Sequence, residues 1–211
     1  MCGIAGLIHK NKTVNIGQEL QDMLQALKHR GPDSTGFALY GEGHDDNFIM
    51  RFKVGENVKE GSSAVNEGSE IYDSRKAQVD KYLIELGAEV VSEEQITPYS
   101  FKYVLKYDED LMEFSKKIES VEMTEILSIG KSLELVKDIG DAGVVSEQYG
   151  LNKIKGTHGI GHTRMATESG VDIRSAHPFW GYPFSDVSVV HNGQLTNYWN
   201  NRRALENKGM R

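Results

Sequence analysis

Apolar positions along the chain follow two spacings, which together predict an α+β fold. Residues 2–8 form a short apolar run, C-G-I-A-G-L-I, with the length of a buried strand and small residues where backbones can approach closely. From Leu20 to Leu27 the apolar residues recur at helical spacing, behind an Asn15 that fits a helix N-cap. Gly31 is predicted to end this helix, because glycine readily adopts the backbone of a C-terminal stop.

Two further apolar runs, F-A-L-Y at 37–40 and F-I-M-R-F at 48–52, are separated by a polar turn and predict a hairpin. The middle of the chain is predicted to form strand, helix, strand, strand, helix and strand, at 69–72, 74–86, 89–92, 100–107, 109–118 and 122–129. This β-α-β-β-α-β order is that of ferredoxin-like domains. The pattern also predicts helices at 133–139 and 198–208, the second with Leu205 facing inward.

Length and composition favour one large globular domain, or a domain with a sizeable insertion. The chain has 211 residues, of which 38% are hydrophobic and 26% are charged. No apolar run reaches the length of a membrane span, and the N-terminus lacks the features of a signal peptide. Cys2 is the only cysteine, so no internal disulfide can form, and we expect a cytoplasmic protein with no membrane partner.

The net charge of −7 is concentrated in the middle of the chain, where residues 56–147 contain 21 acidic and 10 basic residues. A solvated acidic surface is the simplest interpretation of this segment. Nothing in the sequence is basic enough to indicate a nucleic-acid partner.

Cys2 is the first candidate for chemistry because of its position behind the initiator methionine. Removal of Met1 would give one residue both a thiol and a free α-amine, whose pKa is ordinarily about 7.7–8.0. Such an amine can take the proton of the thiol, so one residue would supply nucleophile and base. The alternative is that Cys2 is a small buried hydrophobic residue, which is the commoner role of a lone cysteine.

Four separated motifs decide between these interpretations: M-C-G-I-A-G at 1–6, H-R-G-P-D-S-T-G at 29–36, G-H-T-R-M-A-T at 161–167 and V-V-H-N-G at 189–193. In this order they resemble the class II glutamine amidotransferases, whose glutaminase domain is an N-terminal-nucleophile (Ntn) hydrolase. Within that class, the amidotransferase parts of glutamate synthases look most similar. The resemblance covers about residues 1–53 and 154–209 and leaves out the central segment.

The resemblance implies a four-layer αββα Ntn-hydrolase sandwich. We expect residues 1–55 and 150–211 to form a glutamine amidotransferase type-2 domain, interrupted by the ferredoxin-like insertion at 56–149. In the family, an aspartate that binds the substrate's α-ammonium follows the Asn-Gly pair, together with further strands. The sequence ends before that point, so we expect a sandwich incomplete at its C-terminus, completed by another segment or a second polypeptide.

The resemblance also assigns catalytic roles. Cys2 Sγ would attack the side-chain carboxamide carbon of L-glutamine and form a thioester, with its own amine as base. The Asn192 side-chain amide and the Gly193 backbone N–H would stabilise the oxyanion. Arg30 would hold the N-terminal segment in place. An ordinary hairpin turn is the alternative for the Asn-Gly pair, which is a strong turn signal.

Substrate binding is assigned to three residues of the matching motifs. Arg164 would hold the substrate's α-carboxylate through its guanidinium fork, with Thr167 as a second donor and His177 lining the pocket. A surface ion pair is the alternative for Arg164. Two positions depart from the pattern of several family members, which have an aromatic residue at Met165 and a histidine at Glu168. These departures weaken the expectation of glutamine specificity more than that of thiol chemistry.

No metal or other cofactor is expected. His158 and His162 have the H-x-x-x-H spacing of some zinc sites. The intervening Gly-Ile-Gly favours an extended strand, in which four residues span roughly 13 Å, too far for one ion.

The sequence therefore predicts a glutaminase module that hydrolyses L-glutamine to glutamate and ammonia and passes the ammonia to a synthase partner, as in glutamate synthases. One alternative is a catalytically degenerate subunit that binds glutamine or serves as a scaffold. The other is an Ntn amidase that acts on a different amide, against which Arg164 argues because it suits an amino-acid carboxylate.

Overall fold

A computed structural model describes residues 2–10, 12–44, 46–56, 68–165, 173–193 and 195–210. The strands are β1 Gly3–Ile8, β2 Ser34–Gly41, β3 Phe48–Lys53, β4 Glu89–Thr97, β5 Ser100–Lys106, β6 Glu125–Gly130, β7 Leu133–Ile139, β8 Gly156–Arg164, β9 Phe179–Trp180 and β10 Ser188–Val189. The helices are α1 Ile16–Ala26, α2 Ser69–Glu85, α3 Leu111–Ile118, α4 Ala142–Gln148 and α5 Tyr198–Glu206. Two short 3₁₀ turns lie at Lys28–Arg30 and Leu151–Lys153.

Two four-stranded antiparallel sheets carry most of the fold. The first has the order β1-β8-β2-β7 and the second the order β4-β5-β3-β6, while β9 and β10 form a separate ribbon. Helices α1 and α4 cover the first sheet with a core that includes Leu20, Leu24, Phe37 and Val145. Helices α2 and α3 pack on the second sheet, in a core that also takes in side chains of the first. This arrangement is α+β and is compatible with a four-layer sandwich.

Helix α1 forms where its sequence predicts. The Asn15 side chain accepts a hydrogen bond from the backbone N–H of Gln18 at 3.2 Å, as an N-cap does. Leu20 and Leu24 are fully buried, whereas Met23 on the next position of the stripe is 41% exposed. The apolar stripe therefore fixes one narrow face of α1 on the first sheet.

Buried ion pairs connect the two sheets. Glu134 of β7 pairs with Arg51 of β3 and with Lys102 of β5, the latter at 2.9 Å. Burial acts to raise the pKa of Glu134, but these two cations hold it below its ordinary value. The buried charges of Glu134 and Arg51 thus each have an opposite charge beside them, which is the condition for keeping them in the interior.

Several predicted elements are wrong. Leu133–Ile139 is a strand rather than a helix, and residues 69–72 begin α2 rather than forming a strand. The predicted hairpin is also wrong, because β2 pairs with β7 and β8 whereas β3 pairs with β5 and β6. Leu205 does not face inward, since it is 48% exposed on α5.

The predicted ferredoxin-like insertion at 56–149 is not confirmed, because its first strand is helical. A β-α-β-β-α-β order does occur, but it begins at β3, before the predicted insertion. Strand β7, inside the predicted insertion, belongs to the first sheet. The predicted division at 1–55, 56–149 and 150–211 stays a prediction.

Within the part of the chain that the structure describes, no helix has the length and apolar character needed to cross a membrane.

Candidate active site

The start of the chain lies beside the end of β8. Gly3 pairs with Thr163, and Ile4 with His162, across the antiparallel strands β1 and β8. Continuing this register by one residue brings Cys2 level with Arg164. Cys2 is half-buried, and its thiol is free. The predicted nucleophile and the predicted carboxylate-binding residue are thus at the same end of the first sheet.

Strand alternation shows which side chains share the site's face. Residues opposed in an antiparallel pair project from the same side of the sheet. Tyr40 of β2 and His158 of β8 are opposed, and their rings stack with centroids 4.1 Å apart. On β8, Arg164 and His162 follow His158 at even spacing, so they share this face. Ser34 of β2, opposite Arg164, does so as well.

Asn192 reaches the N-terminus from the other end of the sequence. Its Nδ2 donates a hydrogen bond to the carbonyl oxygen of Cys2 at 3.0 Å. Gly193 follows with φ of +150°, in the region of backbone conformation that favours glycine. A Cβ at Gly193 would also approach the ring of His191 to 3.2 Å. The structure therefore brings the Asn-Gly pair and Cys2 together.

Arg30 lies in the 3₁₀ turn that packs against the end of β8. Gly31 allows this contact, because a Cβ there would lie 2.6 Å from the backbone of Thr163 and Arg164. The backbone N–H of Asp33 donates to the carbonyl of Arg164 at 3.1 Å. The segment that carries Arg30 thus supports the strand end at which Arg164 lies, and the role of the Arg30 side chain stays a prediction.

His177 is brought to the same face by a close approach of two backbones. Its carbonyl oxygen lies where a Cβ on Gly36 would be, at 2.1 Å, so only glycine fits at that position of β2. The imidazole of His177 contacts two rings, with its centroid 4.8 Å from that of the His162 imidazole and 4.4 Å from that of the Phe179 ring.

Two histidines of the site, His162 and His177, are held neutral by a lowered pKa. Burial, followed by the positive charge of Arg164 and the field of His191, lowers the pKa of His162 to about 4. Burial also lowers the pKa of His177 to about 4, with further contributions from His162 and Lys137. At neutral pH the positive charge beside these two rings therefore comes from Arg164 and Lys137 rather than from an imidazolium of His162 or His177.

Thr167 and Glu168 lie outside the described residues. Sequence spacing points to His162 only as a metal ligand, which the extended strand argues against, whereas the structure places His162 on the same face of β8 as Arg164, with its ring against that of His177. The signal was its even spacing from Arg164 on a strand, which puts both side chains on one face. Among the described residues, no three His, Cys, Asp or Glu side chains converge in a way that would hold a metal ion.

A cavity of about 730 Å³ borders the site on the side of His177, because Phe179 lines the cavity and contacts the ring of His177. It is bordered by residues 119–127, by the aromatic residues of β9 and by Tyr198 of α5. Cys2, Arg164 and Asn192 are not among its lining residues. Its size therefore gives no argument about the chemistry of Cys2.

Comparisons with known proteins give two relatives that match nearly the whole chain. A protein of Methanothermobacter thermautotrophicus named "Putative glutamine amidotransferase" is 39% identical over 214 residues, covering 99% of this chain and 66% of the relative. The glutamine amidotransferase-like protein GlxB of Rhizobium meliloti is 34% identical over 212 residues, covering 100% of this chain and 64% of the relative. The chain thus spans about two thirds of the length of these relatives.

A third relative matches only part of the chain. The amidophosphoribosyltransferase of Methanocaldococcus jannaschii is 36% identical over 83 residues, covering 39% of this chain and 18% of the relative. No family model matches the chain.

Proposed function

We propose that this chain, whose relatives support membership of a glutamine amidotransferase family, hydrolyses L-glutamine to glutamate and ammonia with Cys2 as the nucleophile. The observation that carries the proposal is the hydrogen bond from Asn192 to the Cys2 carbonyl at 3.0 Å. It joins a nucleophile candidate to an amide donor from 190 positions later in the chain. An N-terminal thiol beside such a donor is an arrangement suited to acyl transfer.

The reaction needs Cys2 as the first residue, so Met1 has to be removed. The α-amine then accepts the proton of the thiol while Sγ attacks the carboxamide carbon of glutamine. Collapse of the tetrahedral intermediate breaks the C–N bond, and the same proton passes to the leaving nitrogen, which departs as ammonia. Water then attacks the thioester, releases glutamate and restores the thiol.

Asn192 and Gly193 supply the donors for the negative oxygen of the intermediate. A carboxamide group has two N–H bonds, and one of those on Asn192 points at the Cys2 carbonyl. The second N–H is the one we assign to the oxyanion, together with the backbone N–H of Gly193. Removing one donor of this kind ordinarily lowers kcat about 10²–10³-fold.

Arg164 binds the α-carboxylate of glutamine in this proposal. It is 9% exposed and level with Cys2, so a substrate held by its guanidinium group would extend along the face that carries the thiol. Thr167 is proposed as a second carboxylate donor. His177 is proposed to line the pocket through the backbone that packs on Gly36, and Arg30 to keep the N-terminal segment aligned.

Ammonia is proposed to pass to a synthase partner, because ammonia released into water at neutral pH becomes protonated and loses its nucleophilic lone pair. The glutamate-synthase type of acceptor rests on the motifs alone. Both relatives extend beyond the part that aligns with this chain, so the acceptor is to be sought either in such an additional segment or on a separate polypeptide. The division into an amidotransferase part and an insertion at 56–149 stays a prediction.

The proposal is tested by measuring ammonia and glutamate released from L-glutamine. The wild-type protein, shown by mass spectrometry to begin at Cys2, is compared with Cys2→Ala and with a form that retains Met1. The Met1 form is the matched control, since it keeps the thiol but moves the amine to another residue. We expect release only from the form that begins at Cys2. Equal release from wild type and Cys2→Ala would overturn the assignment.

A further inference from the structure

His162 has two hydrogen-bonding atoms, and neither has a partner among the residues that the structure describes. Its side chain is 2% exposed, and both Nδ1 and Nε2 lack a hydrogen bond to any residue that the structure describes. Buried polar groups in folded proteins are nearly always paired, with protein, water or ligand. With no partner among the described residues, both nitrogens of this buried imidazole are available to a bound molecule.

The position of His162 indicates which molecule this is. Its ring shares the face of Arg164, two residues further along β8, and contacts the ring of His177. Because Ile4 is opposite His162, Cys2 is a diagonal neighbour across the strand pair. Diagonal neighbours on one face are about 7–8 Å apart at Cα, a distance that a substrate group can bridge. His162 therefore borders the place where the reacting end of a substrate of Cys2 would lie.

The hydrogen-bonding capacity of the ring matches an amide. A neutral imidazole has one N–H donor and one nitrogen acceptor. Three groups lie near the His162 ring: Arg164 on the same strand, His177 before β9 and His191 after β10. None of the three is an acid that would keep His162 protonated. A carboxamide offers both N–H and C=O, whereas a carboxylate offers acceptors only.

We propose that His162 is a specificity-determining residue, which hydrogen-bonds the side-chain carboxamide of glutamine and thereby favours glutamine over its product glutamate. The inference rests on the proposed function, because it takes glutamine as the ligand of the Cys2 site. Glutamate would satisfy the N–H of His162 but leave its acceptor nitrogen unpaired. Release of the product is then aided by the residue that selects the substrate.

The test measures the dissociation constants of L-glutamine and L-glutamate by calorimetry in the Cys2→Ala background, in which turnover is blocked. His162→Phe keeps a ring but removes both hydrogen-bonding atoms, and His162→Asn keeps one donor group and one acceptor group. The matched control is His158→Phe, on the same strand and face. His158 differs in that its Nδ1 is paired with the Thr157 hydroxyl at 2.9 Å.

We expect His162→Phe to weaken glutamine binding about tenfold and glutamate binding little. His162→Asn should retain most of the preference for glutamine over glutamate, and His158→Phe should retain this preference in full. Arg164→Ala, by contrast, should weaken the binding of glutamine and glutamate alike, since both ligands carry the α-carboxylate. An unchanged preference in His162→Phe would overturn the inference and leave the proposed function intact. Absence of glutamine binding, together with absence of ammonia release by the wild type, would overturn the proposed function itself.

A second measurement covers the case in which His162→Phe does not fold. In the Cys2→Ala protein labelled with ¹⁵N-histidine, glutamine is expected to shift the ring-nitrogen resonances of His162, assigned with His162→Asn. Glutamine binding that leaves these resonances unmoved would equally overturn the inference.

Discussion

Asn192 donates a hydrogen bond from Nδ2 to the carbonyl oxygen of Cys2 at 3.0 Å, although 190 positions separate the two residues. The bond orients the side chain of Asn192 toward the first residues of the chain. It also leaves the second N–H of the amide available for another acceptor. Both features agree with a donor that is fixed before the substrate arrives, as an oxyanion site requires.

Asn192→Ala is expected to lower kcat for glutamine hydrolysis about 10²–10³-fold, with a smaller change in KM. The reason is that the oxyanion exists only in the transition state and the intermediate, so its donor contributes little to substrate binding. Steady-state assays of ammonia release measure both constants. Asn207→Ala, at the exposed end of α5, is the matched control and should retain full activity. A change confined to KM would contradict the assigned role.

Gly36→Ala is expected to destabilise the protein and reduce activity. A Cβ at this position would lie 2.1 Å from the carbonyl oxygen of His177, and backbone cannot move aside as a side-chain end can. Overpacking of this kind costs about 1–3 kcal/mol of the free energy of unfolding. Urea denaturation measures it. At Gly43 the nearest atoms to a Cβ are 3.8 Å away, so Gly43→Ala should be tolerated.

The free energy of unfolding is expected to fall between pH 7 and pH 5. His162 and His177 have pKa values of about 4 in the folded protein, below the 6.5 of an unfolded chain. The unfolded chain therefore binds more protons in this window, and stability present above pH 6.5 is lost as the pH falls toward 4. We expect a loss of about 1 kcal/mol of the free energy of unfolding for each of these two histidines.

Urea unfolding at the two pH values checks this prediction. His177→Asn should make the fall smaller, whereas the exposed His29, replaced by Gln, should leave it unchanged. The same fall in wild type and His177→Asn would show that His177 is not held neutral by the fold.

Glu134→Gln is expected to cost about 3 kcal/mol of the free energy of unfolding. The substitution removes the negative charge that faces Arg51 and Lys102 between the two sheets. The exposed pair of Glu113 and Lys116 provides the control, because Glu113→Gln should cost less than about 1 kcal/mol. Equal losses in the two variants, measured by denaturation at pH 7, would contradict the role of Glu134.

The sequence predicted helix α1 well, because its signals are local. The N-cap of Asn15 and the burial of Leu20 and Leu24 need only the i to i+4 neighbourhood. Strand β7 was missed for the opposite reason. Its polar residues, such as Asp138, are buried and satisfied by distant groups, here the hydroxyls of Tyr99 and Tyr149 at 2.8 and 2.7 Å. Sheet membership of β2 and β3 is likewise set by distant partners.

The candidate site, like the fold, could be predicted from the sequence only in part. Motifs placed Cys2, Arg164 and Asn192 in one site by resemblance, and the structure brings these three residues to one end of the first sheet. That the nitrogens of His162 have no partner in the described part of the chain could not be predicted, because a missing hydrogen bond is a property of the folded surroundings.

The central claim is that Cys2 attacks the carboxamide carbon of glutamine. Its most direct test is labelling with a diazoketone analogue of L-glutamine, followed by mass spectrometry of the intact protein and of its N-terminal peptide. We expect one equivalent of label, located on the sulfur of a peptide that begins at Cys2, and competition by glutamine. A label on another residue, or no label on protein that begins at Cys2, would contradict the account.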